Sequence, residues 1–199
     1  VVADNGSTDE TGAVAAAAGA VVVREAEPGY GAACLRGIRE VADMDVIVFV
    51  DGDFSDHPED MADLTDPIIA GTADMVIGSR ALGDRERGSL TPQQIFGNWL
   101  ATRLIRLIWG AHYTDLGPFR AIRRTSLDAL GMADRNYGWT VEMQIRAAEA
   151  CLKITEVPVR YRCRIGVSKV SGTIKGTVMA GSKILLIIGR HALRRIARP

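Results

Sequence analysis

The chain has 199 residues, 47% of them hydrophobic and 24% charged, with 24 acidic and 24 basic side chains. That suits one globular domain with a substantial core and excludes repeat or low-complexity architectures. No apolar run reaches the roughly 18–20 residues that span a bilayer, and no signal peptide is apparent. The three cysteines, Cys34, Cys151 and Cys163, are odd in number and lack metal-ligand spacing, as expected of packing residues in a reducing compartment.

The elements alternate from the start. Val1 to Ala3 reads as a strand ending in Asp4-Asn5-Gly6. Ser7 and Glu10 have capping-box spacing for a helix running to about Ala18. A short strand, Ala20 to Val23, leads through Glu27-Pro28-Gly29-Tyr30-Gly31 into a helix with Leu35, Ile38 and Val41 or Ala42 on one face. Val46 to Val50 is an uninterrupted apolar run, the pattern of a strand buried inside a parallel sheet. It ends in Asp51-Gly52-Asp53. Pro58 opens the next helix, with Met61, Leu64 and Ile68 facing inward, and Asp74 to Gly78 is a further strand.

The second half continues the pattern. A loop from Ala81 to Thr91 precedes a long helix, Gln93 to Trp109. The loop Tyr113 to Pro118 enters a strand from Phe119 to Ile122, followed by a short helix near Ser126 and another over Thr140 to Ala150. Pro158 places the strand Ile154 to Arg162 at a sheet edge. The last helix, about Thr173 to Ile196, is expected to bury Ile174, Val178, Leu185 and Ile188. The class is α/β with a mainly parallel sheet flanked by helices, in a single domain over residues 1–199.

Charge is unevenly distributed. Residues 157–199 contain ten Lys and Arg and no Asp or Glu, so this basic C-terminal segment carries +10 and the first 156 residues −10. Such a segment suits an anionic surface. Each base near an anionic membrane contributes about 1 kcal/mol at best. Ile184 to Ile188 would add an interfacial anchor, unless that stretch packs on the sheet.

Ligands of open α/β sheets sit beyond the carboxyl ends of the strands. Asp51 and Asp53 there concentrate negative charge, which a hard cation, Mg²⁺ or Mn²⁺, relieves. The competing local reading is a turn or helix cap.

Taken together, the motifs resemble those of family 2 glycosyltransferases with a GT-A fold, and within them the polyprenyl-phosphate mannosyl- and glucosyltransferases. The matching stretches are Asp4-Asn5-Gly6-Ser7-Thr8-Asp9, Gly29-Tyr30-Gly31-Ala32, Asp51-Gly52-Asp53, Gly78-Ser79-Arg80, Asp115-Leu116-Gly117-Pro118-Phe119-Arg120, Val141-Glu142-Met143, Glu156-Val157-Pro158-Val159 and Arg164 to Lys169. The resemblance implies transfer of a hexose from a UDP- or GDP-sugar to a polyprenyl phosphate. Asp53 would be the metal ligand and Asp51 a second metal or ribose contact. Asp4 would meet the nucleoside, Gly29 and Gly31 would let backbone approach the donor, and Arg80 would reach a phosphate. The rival for Asp4 is an Asx-turn. Asp115 and Glu142 are the acid candidates facing the acceptor, whose phosphate Arg120, Arg162, Arg164, Ser168 and Lys169 would grip.

A phosphate monoester has its second pKa near 6 and needs no general base. A hydroxyl acceptor needs one, and losing it costs about 10²–10⁴ in rate. The expected partners are thus a nucleotide-sugar, a lipid phosphate and an anionic membrane surface, with no nucleic acid, and the expected place is peripheral at the cytoplasmic face of the membrane. Where relatives often carry Gln, two residues past the second metal-site Asp, this chain has Ser55, and His57 reads as structural. The family opens with a strand and helix ahead of the point where this sequence starts, so a raw sheet edge and an incomplete base pocket are expected. Competing readings are a non-catalytic nucleotide-sugar or lipid-phosphate module, a haloacid-dehalogenase-like phosphatase with Asp51 as nucleophile, and a sugar nucleotidyltransferase, whose Gly-rich phosphate loop is missing.

Overall fold

The computed structural model describes residues 1–166 and 174–197. Two sheets carry the fold. In the smaller, β1 (Val2–Asp4) runs parallel to β2 (Val22–Arg24), with Val2 opposite Val22. The larger has the order β3-β5-β4-β6. Here β3 is Val46–Phe49, β4 Met75–Ser79, β5 Arg120–Arg123 and β6 Ile154–Pro158. β4 and β6 are parallel, while β5 runs antiparallel to both β3 and β4.

Among the described residues seven α-helices accompany these strands: α1 Thr11–Ala17, α2 Tyr30–Glu40, α3 Met61–Ile69, α4 Pro92–Trp109, α5 Arg124–Leu130, α6 Trp139–Glu149 and α7 Ile174–Ile196. The sequence explains α4 well. Thr91 caps it with a full Thr91–Gln94 capping box, Pro92 occupies its first turn, and Gly110 ends it in the left-handed conformation. All five residues of β4 are buried, because α3 covers one face and the α4–α6 layer the other. Phe49 meets Trp139 edge-on at 6.1 Å and ties the tip of β3 to α6.

Several expectations change. Ser7 does not cap α1. Its backbone N–H is donated to Asp4 Oδ1 at 2.8 Å, and the helix starts four residues later, where Asp9 accepts from Thr11. Among the described residues β3 pairs on one side only, so there it is an edge strand rather than an interior one. Residues of β1 and β3 line one cleft. Met61 is partly exposed. In α7, Val178 and Leu185 face outward, while Ile187, Ile188 and His191 are buried. Ile188 is buried as expected, Val178 and Leu185 are not, and the side chain of Ile174 lies outside what is described.

Candidate active site

A cleft of about 1150 Å³ opens at the carboxyl end of β3. Asp51, Asp53, Tyr30, Arg80, Tyr161 and Arg164 all contribute to its wall. The turn that presents the two acids is strained. Phe54 has φ 68°, a left-handed conformation that costs an aromatic residue energy and persists only when its surroundings enforce it. The segment after β6 does the enforcing. Arg162 donates its backbone N–H to Ser55 O at 3.0 Å and Ile165 donates to Asp53 O at 2.9 Å. The Arg162 guanidinium donates to the carbonyls of Phe54 and Asp56 and lies over the Phe54 ring. Arg162 therefore clamps the acid turn and is not among the residues lining the cleft.

The neighbouring Tyr30 hydroxyl favours the Asp51 carboxylate, yet burial and then the negative charge of Asp53 raise its pKa above the usual carboxylate range. The same burial, with Asp51 nearby, pushes the Tyr30 hydroxyl well up and the Cys34 thiol to about 12. Asp56, behind the turn, accepts the Asp51 backbone N–H at 3.2 Å and is pushed up to about 7 by burial and the Asp51 charge. Asp53 pairs with Arg164 at 2.8 Å and accepts from the Ser55 backbone and hydroxyl.

This end of the cleft thus holds more negative charge than its neighbours neutralise. Among the described residues no group of three or more His, Cys, Asp or Glu could hold a metal ion alone. Two carboxylates completed by substrate phosphate oxygens are, however, a donor set that suits Mg²⁺ or Mn²⁺. Asp51 and Asp53 fit such a cation in that shared form.

The other acids have different partners. Asp115 is buried and takes three hydrogen bonds from Arg80: the backbone N–H and Nε on Oδ2, at 2.8 and 2.7 Å, and Nη2 on Oδ1 at 2.7 Å. Burial pulls the Arg80 pKa down, but the Asp115 carboxylate outweighs it and the net shift is upward. Arg80 is also stacked over Tyr161, 5.0 Å from the ring centroid. Asp115 thereby aims a permanent cation into the cleft and stays out of it. Glu142 is likewise committed. It accepts the backbone N–H groups of Ala133 and Asp134 and pairs with Arg146 at 2.9 Å. Neither acid faces an acceptor as a free base.

Arg120 is fully buried, donating to the carbonyls of Leu116, Gly117 and Thr140, and it cannot grip an acceptor phosphate from there. Asp4 is partly buried and accepts from Ser7, whose hydrogen bonds lower its pKa, so the Asx-turn-like reading describes its local bonding. Gly29 lines the cleft, and both glycines also serve an approach within the protein. A Cβ on Gly29 would strike Arg135 O, and one on Gly31 would strike Asp134 O. They let the start of α2 press against the 133–137 loop that Glu142 holds. Ser168 and Lys169 lie outside the described residues.

Sequence reasoning missed Tyr30, Tyr161 and Glu156. Glu156 accepts from the backbone of Thr114 and Asp115 at 2.9 and 3.2 Å and so fixes the turn that carries Asp115. Tyr30 and Glu156 lie inside the motif stretches, where a polar side chain beside glycines or on a strand was the available signal.

Comparison with known proteins decides the family. The sequence profile described as "Glycosyl transferase family 2" matches residues 1–131. The chain belongs to glycosyltransferase family 2. An uncharacterized glycosyltransferase of Mycobacterium tuberculosis is 36% identical, over 90% of this chain and 81% of its own length. The undecaprenyl-phosphate mannosyltransferase of Micrococcus luteus is 32% identical, over 88% of this chain and 77% of that protein. Glucosyl-3-phosphoglycerate synthase of Mycobacterium tuberculosis, solved with Mn²⁺, UDP and phosphoglyceric acid, superposes with a TM-score of 0.73 at 21% identity, over 95% of this chain. The chain spans 66% of that structure's length. The fold is accordingly GT-A, with β5 as its antiparallel strand. Family membership sets aside the phosphatase and nucleotidyltransferase readings.

Proposed function

We propose that this family 2 chain moves a hexose from a UDP- or GDP-sugar to a polyprenyl phosphate, with Mg²⁺ or Mn²⁺ as cofactor, at the cytoplasmic face of a membrane. The observation that carries the proposal is the shared cleft: Asp51 and Asp53 at the tip of β3, with Arg80 and Arg164 beside them. The relatives named for undecaprenyl-phosphate and polyprenol-phosphate mannose transfer support the acceptor class.

Asp51 and Asp53 would hold the cation, which when bound offsets the charge on a departing nucleoside diphosphate. Arg80, fixed by Asp115, supplies a second, permanent positive charge at a set position. Arg164 rests on Asp53 and has a hydrogen-bonding fork suited to phosphate. The acceptor needs orientation rather than deprotonation, since a phosphate monoester is largely a dianion at neutral pH. The commitment of Asp115 and Glu142 to internal partners supports a phosphate acceptor over a hydroxyl one.

The test is a panel of UDP- and GDP-sugars with Mg²⁺ and Mn²⁺, scored for binding and for transfer to a polyprenyl phosphate. Transfer of one sugar that stops on chelation is the expected result. Binding without transfer to any acceptor would instead support a non-catalytic nucleotide-sugar module.

A further inference from the structure

Helices α4 and α7 pack against one another. Neither contains a single Asp or Glu. Both expose large apolar side chains: Phe96, Trp99 and Leu107 on α4, and Leu186, Leu193 and Ile196 on α7 are each more than half accessible. On α4 the spacing is that of one stripe, with Phe96, Trp99, Arg103 and Leu107 following each other at three- and four-residue steps. Phe96 and Trp99 rest together, ring centroids 5.8 Å apart, and the Arg103 guanidinium sits 5.9 Å from the Trp99 ring centre. Arg103, Arg106, Arg190, Arg194 and Arg195 are exposed and make no ion pair among the described residues. By contrast, other bases of the C-terminal segment belong to ion pairs within the fold: Arg160 with Asp60, Lys183 with Asp134, and Arg164 with Asp53 at the cleft.

We propose that the exposed sides of α4 and α7 form a docking face for an anionic lipid bilayer. Phe96 and Trp99 enter the boundary between headgroups and acyl chains, and the five arginines meet lipid phosphates. The chemistry favours this occupant over two others. A second copy docked about a two-fold axis would set the arginines of this face, which outnumber the one acid beside it, Glu149, against themselves. A nucleic acid would use the arginines but leave Leu107, Leu186 and Ile196 without a partner. Aromatic rings with arginines on an amphipathic helix match the interface of an anionic membrane. The inference rests on the lipid-linked acceptor reading for its motive, and adds the surface by which the enzyme would reach that acceptor. The stretch Ile184 to Ile188 is not that surface as a unit, since Ile187 and Ile188 are buried.

The experiment uses the full-length protein and vesicles without any polyprenyl phosphate, either phosphatidylcholine alone or in equal parts with phosphatidylglycerol. Sedimentation should occur with the mixed vesicles and fade as salt rises. Arg103→Gln with Arg106→Gln should lower partitioning by about tenfold or more, at roughly fivefold per base. Phe96→Ser with Trp99→Ser should lower it by about tenfold. Brominated lipid should quench the wild type more than Trp99→Phe. An unchanged circular-dichroism spectrum and unfolding temperature check that each variant is folded. Equal binding to neutral vesicles, or unchanged binding in both double variants, overturns the proposal. So does a lipid-free dimer that Phe96→Ser with Trp99→Ser dissociates, because the face would then belong to a second copy. Transfer to a water-soluble short-chain isoprenyl phosphate should survive in these variants. Its absence from the wild type would count against the acceptor reading and leave the docking face standing.

Discussion

Two sets of acids stand close together in this fold and differ in what surrounds them. Asp115 and Glu142 each have a dedicated arginine and backbone donors, so their charge is spent before any ligand arrives. Asp51 and Asp53 face one cleft with like charges; Asp53 leans on Ser55 and a partly exposed Arg164, and its charge adds to the burial that raises the pKa of Asp51. The difference teaches how to read an acid in a family motif. One that its own fold neutralises is scaffolding for a neighbour, and one left opposed to another acid awaits a cation.

The largest expected effect breaks the cleft pair. Asp53→Asn should cut sugar transfer by about a thousandfold, as loss of cation stabilisation at a departing diphosphate implies, while thermal unfolding barely moves. Asp115→Asn should do the reverse in kind. Leaving Arg80 buried without its partner should cost about 3–5 kcal/mol of stability, measurable by urea unfolding. Transfer by the folded fraction should fall mainly through a higher KM for the donor. If Asp115→Asn instead removed kcat with stability intact, Asp115 would be a working base and the comparison would fail.

The sequence made the first set legible only as motif members. Asp115 is 35 residues from Arg80, and no local pattern says which charge it meets. The apolar run before Asp51 was legible because burial and strand geometry are both local. The antiparallel direction of β5 was not, since that depends on which neighbours it slots between. Gly29 and Gly31 were recognisable as a close approach, but the approaching backbone comes from residues 134 and 135, far along the chain. In α7 the burial of Ile188 was legible and the exposure of Val178 and Leu185 was not, although the helix's lack of acids was plain.

A smaller effect sharpens the role of Glu142. Glu142→Gln should destabilise by about 1–3 kcal/mol through the Ala133 and Asp134 amides it holds, with kcat for the folded enzyme unchanged. The smallest concerns Glu156, whose pKa is raised by burial despite the Thr114 and Asp115 amides. A carboxyl raised in the folded state favours folding most below its unfolded value, and that advantage is lost as pH climbs through the higher folded value. Glu156→Gln should therefore flatten the decline in unfolding temperature across the mildly acidic range, relative to the wild type.

The most direct measurement is calorimetry of UDP binding with and without Mn²⁺, for the wild type and for Asp51→Asn with Asp53→Asn. Mn²⁺ should tighten UDP by about tenfold or more in the wild type and leave the double variant unchanged. The same Mn²⁺ enhancement in both proteins would contradict the account, because the diphosphate would then be held without the acids at the tip of β3.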